Sequence, residues 1–333
     1  MSNAAPRETL TPWGKMSMAY FLANGSVPAE PSYAEPAWAC TGCGACKSAC
    51  DHQNDVAGTL LAARAGAASL GLGPASAAGV VARFATFQAA HAARTQALAR
   101  EAGLRGGPVK VLVGCTYTAR AGAEARRAVS AARRLVGDVE LVDVCCGAPL
   151  AHAGDAAGFL RQREAFRAAI RGASSVIAVD PGCAITLRRA YPDGGTPLLV
   201  RVDLLLELAH RELAALARVH PTGEVRYHDP CQLGRGLGLY DPPRAILTRI
   251  LGHAPREFTY ARARAGCSGA GGLLPVTMPD VSRDITRARA AAHDGDLLPI
   301  VTACASSLVA FRKTGAACDD IVTWIDRALE ARP

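Results

Sequence analysis

The chain of 333 residues is half hydrophobic, which is enough to bury the cores of about two or three domains. Its formal net charge is +8, yet nearly all the basic residues are arginines scattered along the chain. No compact basic run is interleaved with aromatic residues, so we expect no nucleic acid as a partner. The excess positive charge leaves an acidic protein partner or an anionic membrane surface open.

Twelve cysteines are the most informative feature of the composition. The N-terminus, MSNAAPRETLTPWGK, lacks the apolar core of a signal peptide, and no run of about 18 apolar residues suggests a membrane span. We therefore expect a cytoplasmic protein, held at most peripherally at the inner membrane through its partners. In that compartment thiols stay reduced and serve metal or redox chemistry.

The first block of the chain, residues 1–105, is predicted to be an arm followed by a small helical domain. Residues 1–38 are rich in proline and predict an irregular arm, which leads into the cysteine run CTGCGACKSAC at 40–50. Alanine-rich segments from about 56 to 103 predict helices, with a break at GLGP, 71–74. The Gly-Gly-Pro sequence at 106–108 marks the end of this block.

The second block, residues 106–222, alternates short β-branched runs with helical segments. The predicted elements are strand 109–115, helix 118–136, strand 139–146, helix 154–172, strand 175–180 and helix 202–216. Such alternation predicts a parallel or mixed sheet covered by helices. PTGEV at 221–225 then opens a third block, residues 223–333, which is built in the same way.

The third block repeats the cysteine landmarks of the second. The pairs lie at offsets of 116, 122 and 121 residues, and they are Cys115 with Cys231, Cys145 with Cys267, and Cys183 with Cys304. The closing segments also correspond, because IVTWIDRALEA matches VDLLLELAHRE. Near-constant offsets of this kind indicate an internal duplication.

The cysteines of the first block, Cys40, Cys43, Cys46 and Cys50, have the C-x2-C-x2-C-x3-C spacing of bacterial [4Fe-4S] ligation. Zinc is the alternative, although zinc more often uses two separated Cys-x-x-Cys hooks. In two-cluster ferredoxins the fourth cysteine of each run serves the other cluster. Three choices therefore stay open: Cys50 closes this cluster, a distant thiol such as Cys318 does, or Cys50 belongs to a neighbouring site.

Four cysteines of the second block follow predicted strands. Carboxyl ends of parallel strands meet at one edge of a sheet, where open α/β sheets bind their ligands. We therefore expect Cys115, Cys145, Cys146 and Cys183 to form one metal site. Helix N-termini after the first and last of these favour the thiolate form that binds metal.

The third block supplies only three equivalent thiols. Cys231, Cys267 and Cys304 are expected to form a second metal site at the matching sheet edge. His228, in the sequence HDPC, is a candidate spare ligand for that site, and its alternative role is to orient the Cys231 loop.

These sequence features resemble a known family. The matching words are VGC (113–115), CCGAP (145–149), DPGC (180–183), HDPCQLGRG (228–236), CSGAGG (267–272) and TAC (302–304). Together with the ferredoxin-like run, they resemble the cysteine-rich CCG-domain family, which includes heterodisulfide reductase catalytic subunits and iron-sulfur subunits of glycolate, lactate and glycerol-3-phosphate oxidation systems. The resemblance covers about residues 38–330. It implies an α/β fold of two duplicated CCG-type units with mostly parallel sheets, preceded by a small α-helical ferredoxin-like domain.

Three departures from the family pattern matter. Ser268 stands where the family has a second cysteine, and Thr186 and Ser307 replace the last thiol of each unit. The helical domain carries one cluster run, whereas the oxidase subunits usually carry two. The resemblance to heterodisulfide reductases implies five cysteines for each catalytic cluster, and neither unit supplies five. We expect the two units to differ in function, with the fuller set of thiolates in the first.

The resemblance implies an iron-sulfur electron-transfer subunit that relays electrons between a flavoprotein, such as a 2-hydroxy-acid dehydrogenase, and an acceptor. The expected cofactors are one [4Fe-4S] cluster and further iron-sulfur clusters or zinc in the two units. The expected partners are a flavoprotein dehydrogenase or another redox subunit, and a membrane-associated quinone-linked protein. Two alternatives stay open: a heterodisulfide reductase-type catalytic subunit, and a metal-stabilised docking scaffold.

Overall fold

The computed structural model describes residues 4–192, 198, 200–219, 223–293 and 295–331. The expected boundary at 222 and the first three residues of the expected arm lie outside this part of the chain. Within it, no helix is both long enough and apolar enough to cross a membrane.

The N-terminal domain is helical. Its elements are a 3-10 turn at Glu8–Leu10, α1 (Pro12–Ala23), α2 (Pro31–Ala34), a 3-10 helix at Glu35–Ala39, α3 (Ala45–Ser48), α4 (Val56–Ser69), α5 (Ala75–Ala82) and α6 (Phe84–Glu101). Trp38, which is fully buried, packs with Val56 and Leu60 in a small core that also takes in Ala153 from the next unit. The predicted break at 71–74 falls between α4 and α5.

The prediction of an irregular arm over residues 1–38 is wrong. Helix α1 begins at Pro12, because proline is tolerated in the first turn, where its missing N–H has no helical partner. The Thr11 hydroxyl caps this helix by accepting a hydrogen bond from the backbone N–H of Gly14 at 3.0 Å. The prolines therefore start helices here.

The first α/β unit follows α6. Its elements are β1 (Val109–Leu112), α7 (Cys115–Arg120), α8 (Gly122–Val136), β2 (Val139–Leu141), α9 (Ala148–Ala153), α10 (Ala156–Ala169), β3 (Ser175–Ala178), α11 (Pro181–Ile185), a π-helical turn at Thr186–Ala190, β4 (Arg201–Leu204) and α12 (Leu205–Arg211). Its four strands are all parallel, in the order β2-β1-β3-β4.

Two predicted helices of this unit are wrong in their bounds. The segment predicted as a helix over 202–216 begins as strand β4, in which Val202 pairs with Val176 of β3, and α12 starts only at Leu205. The helix predicted over 118–136 begins earlier, at Cys115, and is interrupted at Ala121. The apolar run around β4 suits a buried parallel strand and a buried helix equally, so periodicity did not separate them.

The second unit repeats the first. Its elements are β5 (Arg226–His228), a π-helical turn at Gln232–Gly236, α13 (Asp241–Leu251), β6 (Arg256–Glu257), α14 (Leu274–Thr277), α15 (Pro279–Ala290), β7 (Ile300–Thr302), α16 (Ala305–Lys313), β8 (Cys318–Asp320) and α17 (Ile321–Glu330). Its strands are parallel in the order β6-β5-β7-β8, which matches the first sheet strand for strand. The predicted α/β fold with duplicated units and parallel sheets is confirmed.

The two units pack on each other through two reciprocal pairs of helices. α8 of the first unit packs on α17 of the second, and α12 of the first packs on α13 of the second. The helices that follow the cysteine-bearing strand ends also meet, α7 with α16 and α11 with the turn at Gln232–Gly236. One hydrophobic core runs through both units. This arrangement brings the carboxyl edge of one sheet against that of the other.

Candidate metal centres

The cysteines of the first unit follow three adjacent parallel strands. Cys115 begins the helix after β1, the pair Cys145 and Cys146 follows β2, and Cys183 lies in α11 after β3. In the strand order β2-β1-β3-β4, the chain reverses its direction of winding beside β1, and ligands of open α/β sheets bind at such a point. The four thiols therefore meet where this fold favours a ligand.

The four thiols lie close enough to shift one another's pKa values. Cys145 interacts with Cys115 and Cys146, and Cys146 interacts with Cys183. Cys145 and Cys183 hold the pKa of Cys146 well below its usual range, and the pKa of Cys145 is raised, mainly by Cys115. The structure thus places these four thiols near one another, and their role as ligands of one metal site stays a prediction.

The backbone of the cysteine pair is fixed by side chains from outside the turn. The Cys145 N–H donates to Gln88 Oε1 at 2.9 Å, and Gln162 Nε2 donates to the Cys145 carbonyl at 2.9 Å. The buried Tyr191 hydroxyl donates to the Cys146 carbonyl at 3.0 Å. Gln88 belongs to the N-terminal domain, so that domain helps to aim the pair into the site.

Two residues beside the thiols were not foreseen as site residues by their spacing. Gly114 lies beside the Cys183 sulfur, and its φ of +99° is a conformation that glycine adopts without strain. Thr186, which stands where the family has its last thiol, still reaches the site. It lines the same cavity as Cys146 and Cys183, and its hydroxyl donates to the Gly182 carbonyl at 2.8 Å.

A cleft of about 290 Å³ lies between the two units. The cysteines that line it come from both units, and they are Cys115, Cys146, Cys183, Cys231 and Cys304. Asp180 bridges its walls, because its carboxylate accepts from Gly182 N–H at 2.8 Å and from Ala305 N–H of the second unit at 3.2 Å. The sequence predicted two separate sites, whereas the structure joins most of their thiols around one cavity.

The second unit contributes less to this cleft. Burial raises the pKa of Cys231 to about 12 and that of Cys304 well above its usual range. Ser268 and Ser307, which replace family cysteines, are both buried, and their hydroxyl oxygens lie 2.9 Å apart in a hydrogen bond. Ser268 thus bonds another hydroxyl at the position where the first unit has the Cys146 thiol.

A second cavity, of about 160 Å³, lies where the N-terminal domain meets the second unit. The thiols that line it are those of Cys40, Cys43, Cys46 and Cys267. The interaction between the Cys43 and Cys267 thiols lowers the pKa of Cys43 and raises that of Cys267. The structure thus adds to three cysteines of the predicted run a thiol that the sequence had assigned elsewhere.

Backbone amides point at the sulfurs of this cavity. The Gly42 N–H donates to Cys40 Sγ at 3.3 Å, and the Gly269 N–H donates to Cys267 Sγ at 3.3 Å. Amide hydrogen bonds to the thiolate sulfurs are one way in which proteins tune iron-sulfur clusters. Gly42 and Gly44 have φ values of +68° and +69°, so the turn around Cys43 uses conformations that glycine adopts without strain.

Two buried cations adjoin the same cavity. Lys15 lines it and is 6% exposed, and burial lowers its pKa. Arg64 is 3% exposed and donates to the carbonyls of Cys40, Ala37, His152 and Gly272. Within the described residues neither cation forms an ion pair with a carboxylate. An anionic group among the four thiols would compensate these charges, so the donor set fits a thiolate-bound cluster.

The remaining predicted residues lie outside both cavities. Cys50 is half-buried and its N–H donates to the Lys47 carbonyl. Cys318 is buried on β8, where its thiol lies 3.9 Å from the Asp319 carbonyl oxygen. The His228 ring packs edge-on against Phe311, and its Nδ1 accepts a hydrogen bond from Arg289 at 3.2 Å. The structure does not bring these three side chains into the thiol sets.

No group of three or more His, Cys, Asp and Glu side chains in the described ranges is arranged to hold one metal ion. A single zinc ion takes every thiolate sulfur at about 2.3 Å, whereas in a cubane each thiolate binds a different iron. Four sulfurs around a cavity of about 160 Å³ suit the wider arrangement.

Comparison with known proteins agrees with this geometry. The family model of the cysteine-rich domain, CCG, matches residues 109–188 and 225–312, together half of the chain. The chain belongs to the cysteine-rich CCG domain family. The two matches coincide with the two α/β units, so each is a CCG unit, and the duplication inferred from the cysteine offsets is a duplication of this domain.

Curated relatives resemble parts of the chain. It is 33% identical to one subunit of the CoM/CoB fumarate reductase of Methanothermobacter marburgensis, over 46% of this chain and 30% of that protein. It is 29% identical to one subunit of the dihydromethanophenazine:CoB–CoM heterodisulfide reductase of Methanosarcina acetivorans, over 44% and 38% of the two lengths. An uncharacterized iron-sulfur protein of Methanocaldococcus jannaschii is 29% identical over 48% of this chain and 32% of that protein. The chain thus matches well under half the length of each of these relatives.

Proposed function

We propose that this protein is an iron-sulfur electron-transfer subunit of an oxidoreductase. A [4Fe-4S] cluster bound by Cys40, Cys43 and Cys46 would exchange electrons with a second centre in the cleft between the CCG units. The relatives are named as redox subunits or iron-sulfur proteins, which supports this class of function. Iron-sulfur centres suit it because they transfer electrons without substrate chemistry at the cluster.

The observation that carries the proposal is the adjacency of the two thiol sets. Cys267 lines the N-terminal cavity, whereas Ser268, Gly271 and Gly272 of the same segment line the cleft. One short stretch of backbone therefore forms a wall of both cavities. Centres bound there would be near neighbours, as electron transfer between them requires.

The residues around the N-terminal cavity would favour a reducible centre. Lys15 and Arg64 place two positive charges beside the thiols, and positive charge stabilises an added electron. The hydrogen bonds from the Gly42 and Gly269 amides to the sulfurs also stabilise added negative charge on the cluster, and so favour its reduced state. Net charge, sulfur hydrogen bonds and exposure are the properties by which a protein sets the potential of such a cluster.

In this proposal a flavoprotein, such as a 2-hydroxy-acid dehydrogenase, supplies or accepts electrons, and the other partner is a further redox subunit or a membrane-associated quinone-linked protein. The name of one relative, a subunit of a heterodisulfide reductase, supports assembly with other redox subunits.

The test is a metal and sulfide assay of anaerobically purified protein, with EPR spectra before and after reduction. We expect iron and acid-labile sulfide well above the roughly four of each that one cubane holds, because the cleft also binds a cluster. Four irons alone would limit the proposal to the N-terminal cluster, and zinc in the cleft would support a docking scaffold. The absence of iron and sulfide would refute the proposal.

A second candidate function is cleavage of a small disulfide in the cleft. The observation in its favour is the cavity of about 290 Å³ with five cysteines on its walls, which is close to the size of small-molecule sites. Addition of a small disulfide to the reduced protein distinguishes the two functions. In a reductase, the added disulfide would oxidise the cleft centre and change its EPR spectrum. In an electron-transfer subunit without its partner, the spectrum of the cleft centre would stay the same.

A further inference from the structure

The fourth ligand of the N-terminal cluster is not fixed by the cysteine run itself. Cys50 completes the spacing C-x2-C-x2-C-x3-C, yet it does not line the cavity around which the other three cysteines of the run gather. Its N–H donates to the Lys47 carbonyl, and its own carbonyl accepts from Gln53. A cluster needs a thiol that faces the cavity.

Cys267 is such a thiol. It lines the cavity together with Cys43, and its Sγ lies 3.4 Å from Thr41 Oγ1. The Gly269 amide donates to its sulfur at 3.3 Å, as the Gly42 amide donates to Cys40. Cys267 thus has the same kind of support as a cysteine of the run.

The fold clamps the segment that carries Cys267 onto the cysteine run. Arg64 donates to the carbonyls of both Cys40 and Gly272, at 2.6 and 2.9 Å. Arg235 joins the Cys43 carbonyl, at 2.6 Å, to the carbonyl of Ala265, at 2.8 Å. These two arginines therefore hold the cysteine run and the segment that carries Cys267 in fixed positions on the two sides of the cavity.

The glycines of this segment show how close the contact is. A Cβ on Gly272 would lie 2.3 Å from the Cys40 carbonyl oxygen, and one on Gly271 would lie 2.5 Å from that of Thr41. Only glycine permits these approaches. The residue after Cys267 is a serine, Ser268, which bonds Ser307 and supplies no thiol to its own unit.

We propose that Cys267 of the second CCG unit is the fourth ligand of the cluster bound by Cys40, Cys43 and Cys46. This inference rests on the proposed function only in assuming a cluster at that place. It makes the N-terminal cluster a bridge between two domains that are more than 200 residues apart in the chain.

The first experiment compares full-length Cys267→Ser, Cys50→Ser and Cys304→Ser proteins, purified anaerobically. The N-terminal cluster is identified as the EPR signal that Cys43→Ser removes and Cys146→Ser retains. We expect Cys267→Ser to lose or shift this signal, with loss of up to about four irons, as for one cubane. Cys50→Ser and Cys304→Ser should keep it. An unchanged signal in Cys267→Ser, or its loss in Cys50→Ser, would overturn the assignment.

The second experiment needs no variant, so it decides the matter even if Cys267→Ser fails to fold. Cluster-loaded wild-type protein is alkylated with iodoacetamide, and the modified cysteines are identified by mass spectrometry before and after removal of the cluster with a chelator. We expect Cys50 to be labelled in the loaded protein and Cys267 only after cluster removal. Protection of Cys50 together with labelling of Cys267 in the loaded protein would refute the assignment. Wild-type protein without iron would instead refute the proposed function.

Discussion

Arg64 is predicted to hold the three domains together, and its removal tests that role. Its guanidinium donates to four carbonyls, those of Ala37 and Cys40 in the N-terminal domain, His152 in the first CCG unit and Gly272 in the second. Replacement by methionine keeps much of the apolar stem and removes every donor. A buried carbonyl left without a partner costs about 1–3 kcal/mol, so four of them predict a loss of at least roughly 4 kcal/mol.

The assay is urea unfolding followed by tryptophan fluorescence, because Trp38 is fully buried in the N-terminal core. A Trp324→Phe background removes the other buried indole. Arg64→Met should lower the midpoint strongly, and Arg64→Lys should have an intermediate effect because an ammonium has only three donors. The control is Arg100→Met, at an exposed position on α6. If Arg64→Met shifts the midpoint no more than this control does, the role assigned to Arg64 is wrong.

Three further predictions concern the cavities. Gly272→Ala should lower the melting temperature more than Gly315→Ala does. Both glycines have positive φ, but only a Cβ at position 272 would clash, because it would lie 2.3 Å from the Cys40 carbonyl oxygen. Equal melting temperatures of the two variants would contradict this. Ser268→Ala and Ser307→Ala should each cost about 1 kcal/mol in urea unfolding, and the double variant should cost less than their sum, because each single change strands one buried hydroxyl. Lys15→Met should lower the reduction potential of the N-terminal cluster by on the order of 60 mV, because it removes a nearby positive charge. The potential is measured by EPR-monitored titration, and a rise in the potential would contradict the electrostatic reasoning.

The sequence predicted the repeated architecture because its signals are local. Cysteines at strand ends, recurring at near-constant offsets, sufficed for two parallel α/β units. Local signals failed where two interpretations fit the same residues. Strand β4 and helix α12 share one apolar run without a turn between them, and the prolines near α1 indicate a loop as readily as a helix start.

The composition of the candidate centres was only partly accessible from sequence. The sequence predicted that the first-unit cysteines follow neighbouring parallel strands, which share one edge, and their role as metal ligands stays a prediction. The meeting of Cys267 with Cys43 depends on how the second unit docks onto the N-terminal domain, and no spacing rule covers a contact across 224 positions. The buried cations Lys15 and Arg64 escaped notice for the same reason, since nothing near them in sequence marks them as unusual.

An EPR-monitored redox titration of the anaerobically purified wild-type protein tests electron transfer most directly. We expect two centres that are reduced and reoxidised reversibly, one of them lost in Cys43→Ser, with a magnetic interaction between them when both are paramagnetic, because their cavities share a wall. A protein that binds zinc alone, or that shows no reversible redox centre, would contradict the proposal that it is an iron-sulfur electron-transfer subunit.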